Sequence, residues 1–326
     1  MCLVALAIDH DRRFPLVIAA NRDEFFSRPA NRLAWWTPDK GADKGDVPIL
    51  GGRDLESGGT WMGLTQQGRL AFLTNVRDPR RQDPQAPSRG TIVPAWLSGR
   101  ESTDRFWMRT ALSGHNGFNL VAADFTQGEC FWASSTEPYP RRLQRGVYGL
   151  SNGGLDTPWP KVQTLKARVR ASLAVATTVD ALAARLFAAL ADREVAPDAA
   201  LPQTGVPHEW ERDLSAAFVR SRDHAYGTRC STLIITERSG RHPVTHVFER
   251  SFSTTSDVAL LRRATLRNWP PRYRTEGAPV SDPQAAVSES AIDVVEPATV
   301  PAKRTRVRTL LKPEPGRLSR PVALTD

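Results

Sequence analysis

The chain has 326 residues, 40% of them hydrophobic and 24% charged, and carries a net charge of +9. This composition can close a sizeable core in one large domain or two average ones. No apolar run approaches the roughly 18 residues that cross a bilayer, so no stable membrane insertion is expected. The cysteines, Cys2, Cys130 and Cys230, are too few and too scattered for a disulfide framework, which fits a reducing compartment and a cytoplasmic location.

Met1-Cys2 opens directly into the apolar run Leu3–Ile8, which stops at Asp9. There is no charged stretch followed by an apolar segment and a cleavage site, so no secretory leader is expected. Removal of Met1 before the small Cys2 would leave a thiol and a free α-amine on one residue. A thiolate is the reactive form of a thiol. An α-amine, with an ordinary pKa of about 7.7–8.0, is a usable base near neutrality. A nucleophile carrying its own base is the logic of N-terminal nucleophile enzymes.

Leu3–Ile8 and Pro15–Ala20 read as a hairpin of buried strands joined by His10-Asp11-Arg12-Arg13, because neither run alternates with polar residues. Further strands are expected at Leu70–Val76, Asn119–Asp124, Cys130–Ser134, Ser231–Glu237 and Val244–Phe248. Helices are expected at Ser102–Leu112, Lys161–Leu173, Val179–Arg193 and Glu209–Phe218. In Val179–Arg193, Leu182, Leu186 and Leu190 recur at helical spacing and Asp180 sits in the first turn. Arg77–Arg89, with Pro79, Pro84 and Pro87, reads as a loop, as does Val195–Pro207. Gly51-Gly52 and Gly58-Gly59 read as tight-turn glycines, Trp61 and Trp159 as core or pocket wall, and Cys130 and Cys230 as small buried hydrophobes. Buried strands with helices grouped in mid-chain give an α+β layered domain over residues 1–275.

Residues 276–326 are rich in proline and lack aromatics. They are acidic as far as Val300 and basic beyond it, which predicts a disordered acidic-then-basic tail. The bases of the remaining chain are mostly dispersed arginines, with no basic helix face or aromatic-interleaved strand, so no nucleic-acid partner is expected. His242 and His246 share a strand face without a third ligand at metal spacing. No Walker loop, Rossmann glycine run or Gly-x-Ser-x-Gly elbow is present.

The second hairpin strand ends in Asn21-Arg22-Asp23-Glu24. With it run Gly51-Gly52-Arg53-Asp54, Gly58-Gly59-Thr60-Trp61-Met62-Gly63, Leu73-Thr74-Asn75-Val76-Arg77, Ser88-Arg89-Gly90 and Gly117-Phe118-Asn119-Leu120. Ser151-Asn152-Gly153, Pro158-Trp159-Pro160-Lys161 and Tyr226-Gly227-Thr228-Arg229-Cys230-Ser231-Thr232 follow. In this order, over about residues 1–252, they resemble the NRDE family, also called the transport and Golgi organisation two family. The resemblance implies an N-terminal nucleophile hydrolase-like fold, a four-layer αββα sandwich with antiparallel sheets. Within that superfamily the chain is similar to the bile-salt hydrolase and penicillin V acylase group, which also begin Met-Cys.

That likeness implies a catalytic set of Cys2, Arg22, Asp23, Asn75, Asn152 and Arg229. Arg22 would favour the Cys2 thiolate. Asp23 would hold the α-ammonium, with Glu24 or Asn21 able to take its part. Asn75 and Asn152 would donate to the oxyanion, and Arg229 would complete the cluster. The related hydrolases space Arg and Asp as Arg-x-x-Asp, whereas Arg22 and Asp23 are adjacent. In a strand, adjacent side chains point to opposite faces.

Two functions follow. One is hydrolysis of a non-peptide acyl-amide or acyl-thioester by Cys2, with no cofactor. The other is non-catalytic handling of haem or of lipid and acyl-CoA on the same fold. Haem needs an axial ligand, for which the sequence offers scattered His, Met and Cys residues.

Overall fold

The computed structural model describes residues 2–38, 47–240, 242–253 and 259–271, and the backbone of 293–295. The chain divides after Glu296, and Pro297–Asp326 lies wholly outside the described residues, as does Met1.

Two seven-stranded sheets form the unit, with every strand pairing antiparallel. The first contains β1 (Cys2–Ile8), β2 (Leu16–Phe25), β10 (Gly146–Leu150), β11 (Tyr226–Ser239), β12 (His242–Phe252), β13 (Ala259–Arg267) and β14 (Asp293–Val295). Its order is β10-β1-β2-β11-β12-β13-β14. The second contains β3 (Ala30–Trp36), β4 (Ile49–Asp54), β5 (Met62–Leu64), β6 (Arg69–Asn75), β7 (Phe118–Asp124), β8 (Glu129–Ser134) and β9 (Arg141–Arg142), paired in chain order. The helices are α1 (Ile92–Ser98), α2 (Thr103–Ala111), α3 (Pro160–Val175), α4 (Val179–Leu190) and α5 (His208–Asp213).

Strand alternation sends the apolar residues of β1 in two directions. Leu3, Ala5 and Ala7 pack with Val162, Leu165 and Val169 of α3 and Leu182 and Leu186 of α4. Val4 and Leu6 pack with Leu50, Leu64, Leu70 and Phe72 of the second sheet. The outer face of that second sheet, through Ala71, Leu73, Leu120 and Ala122, is covered by Trp96 and Leu97 of α1 and Phe106 and Trp107 of α2. The layers therefore run helix, sheet, sheet, helix. This is the expected α+β layering, and among the described residues no helix is long and apolar enough to cross a membrane.

Several expectations need correction. Gly51 and Gly52 lie inside β4, not in a turn. A Cβ on Gly51 would stand 2.5 Å from the Met62 carbonyl oxygen, so close strand packing demands the glycine. The helix expected at Glu209–Phe218 ends at Asp213. Of the predicted disordered tail, only Asp293–Val295 is described, pairing its backbone with Leu261–Arg263 at the sheet edge. The rest of that expectation falls outside the described residues.

Candidate active site

Three side chains share one rung and one face of the first sheet. Arg22 on β2 pairs with Cys2 on β1 at one side and with Cys230 on β11 at the other. All three project from the face that carries Val4, Ile18 and Ile234, toward the second sheet. The Arg22 guanidinium is buried. Its Nη2 meets Asp54 Oδ2 at 3.3 Å and Glu24 Oε2 at 3.6 Å, and its carbon lies 4.5 Å from the centre of the Trp61 ring. Its Nη1 is buried with no hydrogen-bond partner.

Cys2, Arg22, Asp54, Trp61 and Asn75 line a cavity of about 520 Å³. Its outer wall is the loop before α1, which carries Ser88, Arg89 and Gly90. That loop is pinned to the connection between β4 and β5, where Thr60 N donates to Gly90 O at 3.1 Å. A Cβ on Gly59 would collide with the same carbonyl, so only glycine allows the approach. Burial pushes the Cys2 thiol above its ordinary range, against the downward pull of the terminal ammonium and Arg22.

Asp23 faces away from Arg22, because β2 stays extended through Phe25. It nevertheless reaches the cavity wall at the strand end. Thr228 Oγ1 donates to its Oδ1 at 2.7 Å, and the Tyr226 hydroxyl donates to its main-chain oxygen at 3.0 Å. Burial raises the Asp23 carboxyl, and Lys161 and the terminal ammonium pull it back down. Lys161, on the first turn of α3, is buried and donates to Leu214 O at 2.7 Å. Burial lowers it to about 8, against the opposing effect of Asp23. Arg77 stacks over Trp159 at 5.0 Å and pairs with buried Glu211 at 2.5 Å.

This second polar layer of Lys161, Arg77, Glu211, Tyr226 and Thr228 was missed as part of the site. The available signal was a lysine at the fourth position of Pro-Trp-Pro-Lys, at the start of a predicted helix. Arg77 and Thr228 likewise stood inside matched motifs that already supplied Asn75 and Arg229.

The two expected oxyanion donors are placed differently. Asn75 ends β6 and lines the cavity. Asn152 is buried two residues beyond Leu150, which pairs with Val4. Its Nδ2 donates to Asn75 O at 2.8 Å, and Ser151 Oγ donates to Cys2 O at 2.9 Å. Asn152 therefore braces the cavity wall and does not line it.

Arg229 sits at a bulge in β11 and donates to Phe25 O at 2.6 Å and Arg28 O at 2.9 Å. It lines a neighbouring hollow of about 210 Å³ behind Arg22 and Trp61, with Cys230 and Glu249. Asn21 is committed elsewhere, donating to Leu190 O and Ala217 O at 2.8 Å each and accepting from Ser231. Glu24 lies on the Arg22 face and Asp23 on the opposite one. Among the described residues no cluster of His, Cys, Asp and Glu has the arrangement of a metal site.

This arrangement lies within the part of the chain that matches known proteins. A family model described as Transport and Golgi organisation 2 matches residues 1–254. The chain is 34% identical over 258 residues to the human Transport and Golgi organization protein 2 homolog and 33% identical over 258 residues to the mouse homolog. Each comparison covers 74% of this chain and 90% of the relative. The Drosophila melanogaster Transport and Golgi organization protein 2 is 27% identical over 266 residues, covering 74% of this chain and 89% of its own. The chain belongs to the transport and Golgi organisation 2 family.

Proposed function

We propose that this chain is an N-terminal-cysteine hydrolase of a non-peptide amide or thioester, on an N-terminal nucleophile hydrolase fold. The names of its relatives speak of transport and Golgi organisation, not of a reaction, so the chemistry is argued from the cavity. The observation that carries the reading is the direct pairing of Cys2 with Arg22 on the cavity wall.

Burial holds the Cys2 thiol protonated, so the thiol needs a base. Removal of Met1 supplies one on the same residue. The α-amine takes the thiol proton, and the thiolate attacks the carbonyl carbon of the substrate. Asn75 stands beside the developing oxyanion. Collapse of the tetrahedral intermediate breaks the bond to nitrogen or sulfur, and the α-ammonium returns a proton to the leaving group. Water then adds to the acyl-Cys2 thioester, releases the acid and restores the thiol. Asp23, with Lys161 and Arg77 behind it, orients the ammonium from the helix side. Three unpaired cysteines suit a reducing cytoplasm.

A carrier would use the same cavity. No histidine or methionine lines it among the described residues, so a bound haem would have to take Cys2 as its axial ligand. The deciding experiment measures intact mass, then incubates wild type and Cys2→Ala with an acyl-amide and acyl-thioester library. An acyl adduct on residue 2 of the wild type alone supports hydrolysis. Retained Met1, or binding without adduct or Cys2-dependent product, overturns it and leaves a carrier.

A further inference from the structure

We propose that Arg89 is the specificity residue of the Cys2 cavity, binding an anionic group, carboxylate or phosphate, on the ligand. The proposal rests on reading this cavity as the ligand site and adds the charge class of what enters it.

Three arginines line the cavity, and two are neutralised there. Arg22 pairs with Asp54 and Glu24. Arg28 pairs with Asp54 at 2.6 Å and Glu56 at 3.1 Å. Arg89 differs. Its Nη1 donates to the Gly117 main-chain oxygen at 2.9 Å, which fixes the guanidinium in place, and no carboxylate ion-pairs with it among the described residues. Glu24 influences it from farther off but is engaged by Arg22.

Two further acids line the wall, and each is hydrogen-bonded to a neutral donor without pairing with Arg89: Asp23 accepts from Thr228, and Asp83 Oδ1 accepts from Gln85 N. Burial holds the Arg89 guanidinium below its ordinary range, so its charge is only partly solvated. A partly desolvated guanidinium with free donors binds carboxylate and phosphate oxygens more strongly than neutral acceptors.

The backbone around Arg89 is held by local hydrogen bonds. Ser88 Oγ accepts from Gly90 N, Gly90 O accepts from Thr60 N, and His115 meets Pro87 O at 3.0 Å. The arginine is therefore presented in advance, and a ligand spends little ordering entropy to meet it. Cys2 and Arg89 line the same cavity, so a ligand held by the guanidinium sits in the space that the thiol faces.

The test is calorimetric titration of the full chain with four probes: glutarate, inorganic phosphate, neutral glutaramide and cationic cadaverine. Wild type should bind glutarate or phosphate in preference to glutaramide and cadaverine. Glutarate alone would identify a carboxylate ligand, and phosphate alone a phosphorylated one. Arg89→Gln should weaken anion binding about ten-fold or more, while Arg89→Lys keeps it within about three-fold.

A second measurement needs no variant. Glutarate or phosphate should protect Arg89 of the wild type from phenylglyoxal, read by peptide mapping. Equal binding of all four probes, tighter binding of cadaverine, unchanged anion affinity in Arg89→Gln, or no protection overturns the proposal. Neither readout needs turnover. Arg89-dependent anion binding with no Cys2 adduct would retire the hydrolase and keep the anion site, and the opposite pattern would do the reverse.

Discussion

Asn152 donates its side-chain amide to the main-chain oxygen of Asn75 at 2.8 Å. The Asn152 main-chain oxygen in turn accepts from Arg77 N, also at 2.8 Å. The two asparagines, both expected to serve an oxyanion, form one bracket in which only Asn75 faces the cavity. Their substitutions should therefore separate. Asn75→Ala should slow turnover by roughly 10²–10³-fold with little change in stability. Asn152→Ala removes the donor to the part-buried Asn75 carbonyl and should cost about 1 kcal/mol or more of stability, with a smaller kinetic effect. Steady-state kinetics and urea unfolding of both variants check this, and equal kinetic losses would return Asn152 to the oxyanion role.

The thiols should also rank. Burial holds Cys130 up at about 12 and Cys230 well above the ordinary thiol range, and neither lines the Cys2 cavity. With Met1 removed, Cys2 alone gains an amine base. Sub-stoichiometric iodoacetamide and peptide mapping should find Cys2 labelled at least about ten-fold faster than the other two. Equal labelling would contradict the activated-thiol reading.

Lys161 gives a pH prediction. Its folded pKa, about 8, lies below its unfolded value of 10.5. The unfolded chain therefore binds more protons between those values, and stability rises with pH across that window. Below about pH 8 the folded state carries the full penalty, of order 3 kcal/mol at about 1.4 kcal/mol per unit. Melting curves of wild type and Lys161→Met from pH 7 to 10.5 should show wild type gaining on the variant as pH rises. Parallel curves would mean that Lys161 is not desolvated.

Glu211→Ala should be among the costliest substitutions outside the core. It leaves the Arg77 guanidinium buried without its counter-charge and removes the acceptor for Thr204 N and Oγ1, at 2.8 and 2.6 Å. A loss of about 3–5 kcal/mol is expected in urea unfolding. A loss under about 1 kcal/mol would show that water reaches the pair.

The central strands were legible because a strand buried on both faces is written as an unbroken apolar run. Leu3–Ile8 extends to β1 by a single residue, Cys2. The elements that went unseen have other patterns. β4 contains Gly51-Gly52-Arg53-Asp54, whose composition is that of a turn, and its glycines answer to a neighbouring backbone, which one sequence cannot reveal. β13, Ala-Leu-Leu-Arg-Arg-Ala-Thr-Leu-Arg, has intermediate burial over most of its length and no strand-like alternation.

The site divides along the same line. Cys2, Arg22 and Asn75 could be placed because strand ends and motifs located them. Asp23 could not be assigned a face until β2 was seen to remain extended. Arg229 and Asn152 depend on a bulge and a bracket made by other strands. Lys161 arrives from a helix more than a hundred residues away in sequence, through packing alone.

The contact between Gly59 and Gly90 has a consequence for size selection. The loop carrying Arg89 meets the connection between β4 and β5 backbone to backbone, with no side chain between them. At this contact the spacing of the cavity wall is thus set by main-chain dimensions, which do not vary with rotamer as a side-chain spacer would. A single methyl group at position 59 would act as a wedge and tilt the loop outward. The cleft would then admit bulkier ligands while its chemistry stayed the same, which makes this glycine pair the gauge of the site.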